Sequence, residues 1–155
     1  MMSTIDARLA ELGLTLPEAA APAANYVPYV QTGNLVVVSG QITLNNGALE
    51  YVGRVGEDFS TEQAYEAAKL CGLNLIAQVK AACSGDLDRV KRVVRLGGFV
   101  NCTSDFVDQP KVINGASDLM AEVFGNKGKH ARAAVGVNTL PLGVAVEVEG
   151  MFEIA

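Results

Sequence analysis

Arg132, Glu147 and Glu149 are the residues of this chain best suited to chemistry on a small acid. A planar five-donor guanidinium grips a carboxylate with two parallel hydrogen bonds, and a glutamate can take a proton from water. All three lie between His130 and Glu149, a run whose alternation of apolar and small or polar residues around Leu140-Pro141-Leu142-Gly143 predicts one β-hairpin. Side chains alternate along a strand, so Arg132, Ala134 and Gly136 share one side, while Ala145, Glu147 and Glu149 share one side of the return strand. Burying Val135 and Val137 against Val144, Val146 and Val148 then puts the charges on a common face. If Val137 pairs with Val144, Ala134 lies opposite Glu147 and Arg132 opposite Glu149. Two readings of that face stand side by side: a cross-strand ion pair on a solvated sheet, or a ligand site whose floor is kept clear by Ala134 and Gly136.

The rest of the chain must hold this face in place. Ile5, Leu9 and Leu12 space a short amphipathic helix over residues 4–13, and Pro17, Pro22 and several alanines follow as a linker. Residues 1–24 therefore read as an N-terminal appendage and 25–155 as a single domain. Strands are expected at 26–31, 35–39 and 49–52, the last entered through the turn Asn45-Asn46-Gly47. Ser60 and Gln63 make a capping box, after which Ala64, Ala67, Ala68, Cys71, Leu75, Val79 and Ala82 recur at helical spacing for roughly six turns. Residues 87–101 read as a strand with a bulge or a close backbone approach at Gly97-Gly98. Asp108 and Pro110 start a second long helix with an apolar stripe through Val112, Ile113, Ala116, Leu119, Met120, Val123 and Phe124, and Gly125 stops it. The order is β-β-β-α-β-α-β-β, an α+β fold with six strands. Two helices leave one face of such a sheet bare, and oligomerisation is the natural cover.

Composition bounds the class. The 155 residues are half apolar and carry 12 Lys and Arg against 17 Asp and Glu, a formal charge of −5. That balance argues against a general nucleic-acid binder, and the cations Arg89, Lys91, Arg92 and Arg95 read as a solvated strand face. Cys71, Cys83 and Cys102 lack metal-site spacing and an even count, so they are expected to pack as small hydrophobes in a reducing compartment. The N-terminus lacks the basic start and apolar core of a secretory signal, and no apolar run is long enough to span a membrane. A cytoplasmic protein without membrane partners is the expectation.

The order of elements, with Pro28-Tyr29-Val30-Gln31, Ser39-Gly40-Gln41-Ile42, Ala131-Arg132-Ala133-Ala134-Val135, Leu140-Pro141 and Val146-Glu147-Val148-Glu149, resembles the Rid (YjgF-like) family of reactive-imine deaminases. The resemblance covers nearly all of residues 25 to 154. It implies a chorismate-mutase-like α+β fold, a six-stranded mixed sheet with both helices on one face, and a homotrimer with pockets between neighbouring subunits and no metal or organic cofactor. By position, Arg132 matches the arginine that holds the substrate carboxylate, and Glu147 the glutamate that orients or activates water. Tyr29, Ser39, Gly40 and Asn114 match residues lining the pocket. Asn114 reads equally well as an exposed helical polar residue. Ala134 stands where relatives often carry cysteine, which removes a thiol but leaves the backbone carbonyl. His130 lies on Arg132's side of the strand, either at the pocket mouth or simply exposed.

The chemistry so implied is hydrolysis of a short 2-imino or enamino acid. Arg132 takes the carboxylate, water attacks the C=N carbon, Glu147 accepts its proton, and ammonia leaves a 2-keto acid. Two other classes remain open: a hydrolase acting on a small amide or carbamate-like bond, and a non-catalytic trimer that binds a 2-keto acid. The ribonuclease label also attached to the family fits poorly, given the acidic balance and the absence of a paired-histidine site.

Overall fold

The computed structural model describes residues 3–21 and 24–155; Pro22, part of the expected linker, lies outside the described residues. Ser3 and Ser60 each open a helix with a reciprocal capping box, the serine oxygen accepting from the third helical N–H while that residue's side chain returns to the serine N–H. The helices are α1 (Thr4–Glu11) and α2 (Thr61–Ala82). The third, α3 (Gln109–Phe124), has Pro110 in its first turn and ends at Gly125, whose φ of +63° a side chain would disfavour.

The strands are β1 (Tyr29–Thr32), β2 (Leu35–Gln41), β3 (Leu44–Asn45), β4 (Ala48–Leu49), β5 (Val90–Asn101), β6 (Ala131–Val137) and β7 (Val146–Ile154). Five of them form one mixed sheet in the order β1-β2-β7-β5-β6, antiparallel except for the parallel pair of β5 and β6. The fold is mixed α+β, but the sheet is not the six-stranded one expected. The strand anticipated at 49–52 stops early because Tyr51 takes a left-handed φ of +51°, which ends the ladder. Only the small hairpin of β3 and β4 remains, turning through Asn46 and Gly47 at positive φ as Asn-Gly turns do.

The larger correction concerns the expected hairpin of 131–149. β6 makes no ladder with β7, because β5 lies between them. The connection over residues 138–145 is long enough to cross the end of β5, a strand width of about 5 Å on either side. Crossing is favoured because β5 is apolar: Val93, Leu96 and Val100 are fully buried, which a central strand allows and an edge strand does not. Gly97 and Gly98 sit in regular ladder, and the irregularities fall instead between Val90 and Arg92 and between Val93 and Arg95. At Gly98 the close approach is real, since a Cβ there would overlap Ile113 of α3.

Helices α2 and α3 cover one face of the sheet. Leu75, Ile76, Val79, Ile113, Leu119 and Met120 pack there with Val36, Val38, Leu96, Val148 and Phe152, all buried. The other face is open and apolar in places, with Val30, Val37 and Val135 exposed at 54, 39 and 45%. Val135 thus faces away from the core, contrary to the packing expected of it.

The described residues of the N-terminal segment are stitched to the body at several points. The Thr4 and Ile5 N–H groups donate to the Asp88 carboxylate at 2.9 and 3.0 Å, Lys80 pairs with Asp6 at 3.0 Å, and Leu9 is buried in the common core. Further on, Gln78 Nε2 donates to the Ala20 carbonyl at 2.8 Å. The three cysteines are free and buried, and burial pushes the Cys71 thiol well above its ordinary range. Among the described residues no helix is long and apolar enough to cross a membrane.

Candidate active site

Ladder register decides which way each candidate residue points. Arg132 lies beside Leu96, and Leu96 beside Gly150; neighbours across a ladder project to the same face. Leu96 and Gly150 are buried beneath the helices, so Arg132 looks to the helix side, with Ala134 beside Gly98 and Gly136 beside Val100. Glu147 and Glu149 alternate with buried Val146 and Val148 and lie beside Phe99 and Gly97, so they leave the sheet on the other side. The common face expected for the three charges therefore does not exist within one chain. The cross-strand ion pair does form, but between Arg95 and Glu149, at 3.3 Å with both side chains nearly half exposed.

Arg132 sits on the edge strand, half-buried against α3. Its Nη1 donates to Ser117 Oγ at 3.0 Å and its Nη2 to the Pro110 carbonyl at 3.1 Å. Both partners are neutral, and among the described residues no ion pair involves Arg132. A guanidinium held by two of its donors and left with its full charge is suited to an incoming anion. His130 takes part as well, with Nε2 2.8 Å from Ser117 Oγ and Nδ1 2.6 Å from the Gly128 carbonyl. It is partly buried rather than simply exposed.

Glu147 belongs to a separate place. It borders a cavity of about 100 Å³ whose wall includes Ala21, Tyr26, Gly40, Asn74 and Leu142. Burial, and then the neighbouring charge of Glu149, pushes its carboxyl above the ordinary glutamate range. The irregularity in β2 between Val38 and Gln41 brings the Gly40 backbone against this carboxylate, and a Cβ on Gly40 would overlap Glu147 Oε2. Asn74 gives its amide nitrogen to the carbonyls of Ile42 and Leu44 at 3.1 and 2.8 Å, which fixes the amide's orientation. Its Oδ1 is then buried without a protein partner. Small ligands or water entering this cavity meet Glu147.

Gly40→Ala is accordingly expected to leave stability within about 1 kcal/mol, because the obstructing atom is the end of a flexible side chain. The carboxylate must swing aside, however, so any reaction that needs it should slow at least about tenfold, measurable as kcat at unchanged melting temperature.

The family model described as "YjgF/chorismate_mutase-like, putative endoribonuclease" matches residues 6–153. The chain belongs to the YjgF family. Protein TCP17 of Trypanosoma cruzi is 48% identical over 97% of this chain and 94% of its own length. A 2-iminobutanoate/2-iminopropanoate deaminase of Dermatophagoides farinae is 30% identical over 91% of this chain and 94% of its own. Among solved structures, protein Atu1372 from Agrobacterium tumefaciens superposes with a TM-score of 0.91 at 50% identity, covering 97% of this chain and 92% of that one.

Within the YjgF fold, the residues singled out in the sequence separate into distinct places. Arg132 and Ala134 share the helix side of β6, and Gly40 touches Glu147. Ser39 adjoins Gly40, but its hydroxyl donates to the Val27 carbonyl at 2.8 Å. Tyr29 is packed against the core, while its neighbours Tyr26 and Pro28 line the Glu147 cavity. Asn114 lies on α3 between Pro110 and Ser117, the two residues that hold Arg132, and borders the groove between α2 and α3 with Tyr65 and Asp118. Sequence reasoning missed Ser117 and Asn74. Ser117 lies two helical turns beyond Pro110, on the same line of α3. Asn74 and Gln78 interrupt the apolar stripe of α2 at positions that the helical period buries, and a buried polar residue at such spacing is a usable signal.

Proposed function

We propose that this chain hydrolyses short 2-imino and enamino acids to 2-keto acids and ammonia without a cofactor, at a pocket completed by two subunits of a homotrimer. The observation that carries the reading is the placement of Arg132 and Glu147 on opposite faces of the sheet, on strands separated by β5. Each is prepared for a ligand, and within one chain the two cannot meet on one small acid. They can if the edge strand of one subunit docks beside the Glu147 cavity of the next. The exposed valines of the open face supply apolar surface for such docking, and a relative is named for this activity.

In the assembled pocket, Arg132 takes the substrate carboxylate and thereby places the C=N carbon. A water held by Glu147 attacks that carbon. Glu147 accepts the water's proton as the carbinolamine forms and gives it to nitrogen; the C–N bond then breaks as the C=O bond forms, ammonia leaves, and the hydroxyl proton passes to Glu147. A carboxyl with raised proton affinity suits both halves of that exchange.

Complementation tests the division between subunits. Arg132→Ala and Glu147→Gln, each inactive alone on 2-iminobutanoate generated in situ, should regain activity when co-expressed, because mixed assemblies contain sites with both groups intact. Absence of recovery in verified mixed trimers overturns the shared pocket, and lack of wild-type turnover overturns the deaminase reading.

A further inference from the structure

The side chain that the proposed reaction depends on most is long, charged and placed on an edge strand, where little of the sheet restrains it. What restrains it here is a chain of hydrogen bonds that ends on fixed backbone. The Gly128 carbonyl can only accept, so His130 Nδ1 carries the proton of the 2.6 Å bond between them. Neutral imidazole then offers Nε2 as an acceptor, and the Ser117 hydroxyl donates to it across 2.8 Å. With its proton spent in that direction, Ser117 Oγ presents lone pairs to Arg132, whose Nη1 donates to it at 3.0 Å. The donors run one way, from Arg132 through Ser117 and His130 to Gly128.

Both ends of this chain are rigid. Gly128 closes a short 3₁₀ turn directly after α3 and lies so near the helix that a Cβ there would overlap the Met120 carbonyl. At the other end, Arg132 Nη2 is bound to the Pro110 carbonyl in the first turn of α3. The guanidinium is thus fastened to the start, middle and end of one helix. Its remaining N–H groups are not used in these bonds.

We propose that Ser117 and His130 are positioning residues for Arg132, fixing the guanidinium for two-point capture of a ligand carboxylate. Neither residue touches the substrate. The inference rests on the reading of Arg132 as the carboxylate-binding group, and it adds that affinity for the carboxylate is set by a hydroxyl and an imidazole behind it. A loose arginine must lose its rotamer freedom on binding, whereas one held in place has already lost it. An ordinary packing role for Ser117 would instead affect stability and leave ligand discrimination alone.

The test uses the full chain and compares 2-oxobutanoate with its carboxamide, which keeps the shape and lacks the charge. Ser117→Ala should weaken 2-oxobutanoate binding by up to about tenfold, the cost of immobilising one rotamer-rich side chain on binding, and leave carboxamide binding and the melting temperature unchanged. KM for 2-iminobutanoate should rise by the same factor with kcat held within about twofold. Ser117→Thr, which keeps the hydroxyl, should restore both. His130→Ala should show part of the effect, and adding it to Ser117→Ala should add nothing, since it acts through the hydroxyl. Unchanged affinity in Ser117→Ala overturns the positioning role, as do equal losses for acid and carboxamide. If wild-type protein itself binds the two ligands equally, the carboxylate reading of Arg132 fails and the relay falls with it.

Discussion

Arg132→Ala should lower kcat/KM on 2-iminobutanoate at least about a hundredfold, because two charge-assisted hydrogen bonds to the substrate disappear together. The protein should stay folded. The truncated side chain lies on an edge strand, and its loss leaves Ser117 still donating to His130 and the Pro110 carbonyl close to solvent. A change of no more than about 1 kcal/mol in unfolding free energy is consistent with the loss of two surface-side bonds. Arg132→Lys separates charge from geometry: a point charge retains steering but not the paired contact, so it should recover only a minor part of the activity. The measurement is ammonia or keto-acid release from imine formed in situ, beside a thermal melt. Full activity in Arg132→Ala would remove the clamp from the mechanism altogether.

Glu147→Gln carries the second large effect, and it acts on two observables in opposite directions. Turnover should fall about 10² to 10⁴-fold, the range over which a positioned acid or base contributes. Stability near neutral pH should rise. Burial and Glu149 raise the proton affinity of this carboxyl in the folded state, so the folded chain binds the proton more tightly than the unfolded one. As pH climbs through the raised value, ionising Glu147 inside the fold costs stability that wild type loses and a neutral glutamine does not. Melting temperatures compared at pH 8 should favour the variant, and the advantage should vanish below the ordinary range of an unfolded glutamate, where both side chains are neutral. Equal melts at both pH values would show that the carboxylate is not strained by its surroundings.

Local signals survived the passage from sequence to structure better than pairings did. The capping box at Ser60, the apolar stripes of both long helices, the Asn46-Gly47 turn and the stop at Gly125 all appear where their residues place them, since each is settled within a few neighbours. Strand partners are settled by the whole chain. Val135 and Val137 look equally ready to bury against Val144 to Val148, and nothing inside 131–149 says that β5 will come between. The signal lay elsewhere, in the apolar content of Val90 to Asn101, which only a central strand can bury on the helix side while pairing along both edges. Tyr51 misled for a different reason: its left-handed backbone breaks a segment whose composition reads as strand. As for the site, Arg132, Glu147 and Gly40 were legible because few residue types can do their work. Ser117 was not, because a helical serine is unremarkable until the side chain facing it is known.

The placement of Ala20 and Ala21 along the wall of the Glu147 cavity, with Gln78 tying down the Ala20 carbonyl, has a bearing on acidity. These residues form part of the wall beside the carboxylate, so the N-terminal segment contributes to the burial that raises its proton affinity. Loosening that segment should admit solvent and shift the group toward the acidity of a free glutamate. The N-terminal segment is in this sense a tuning element for a proton held at the opposite end of the sequence.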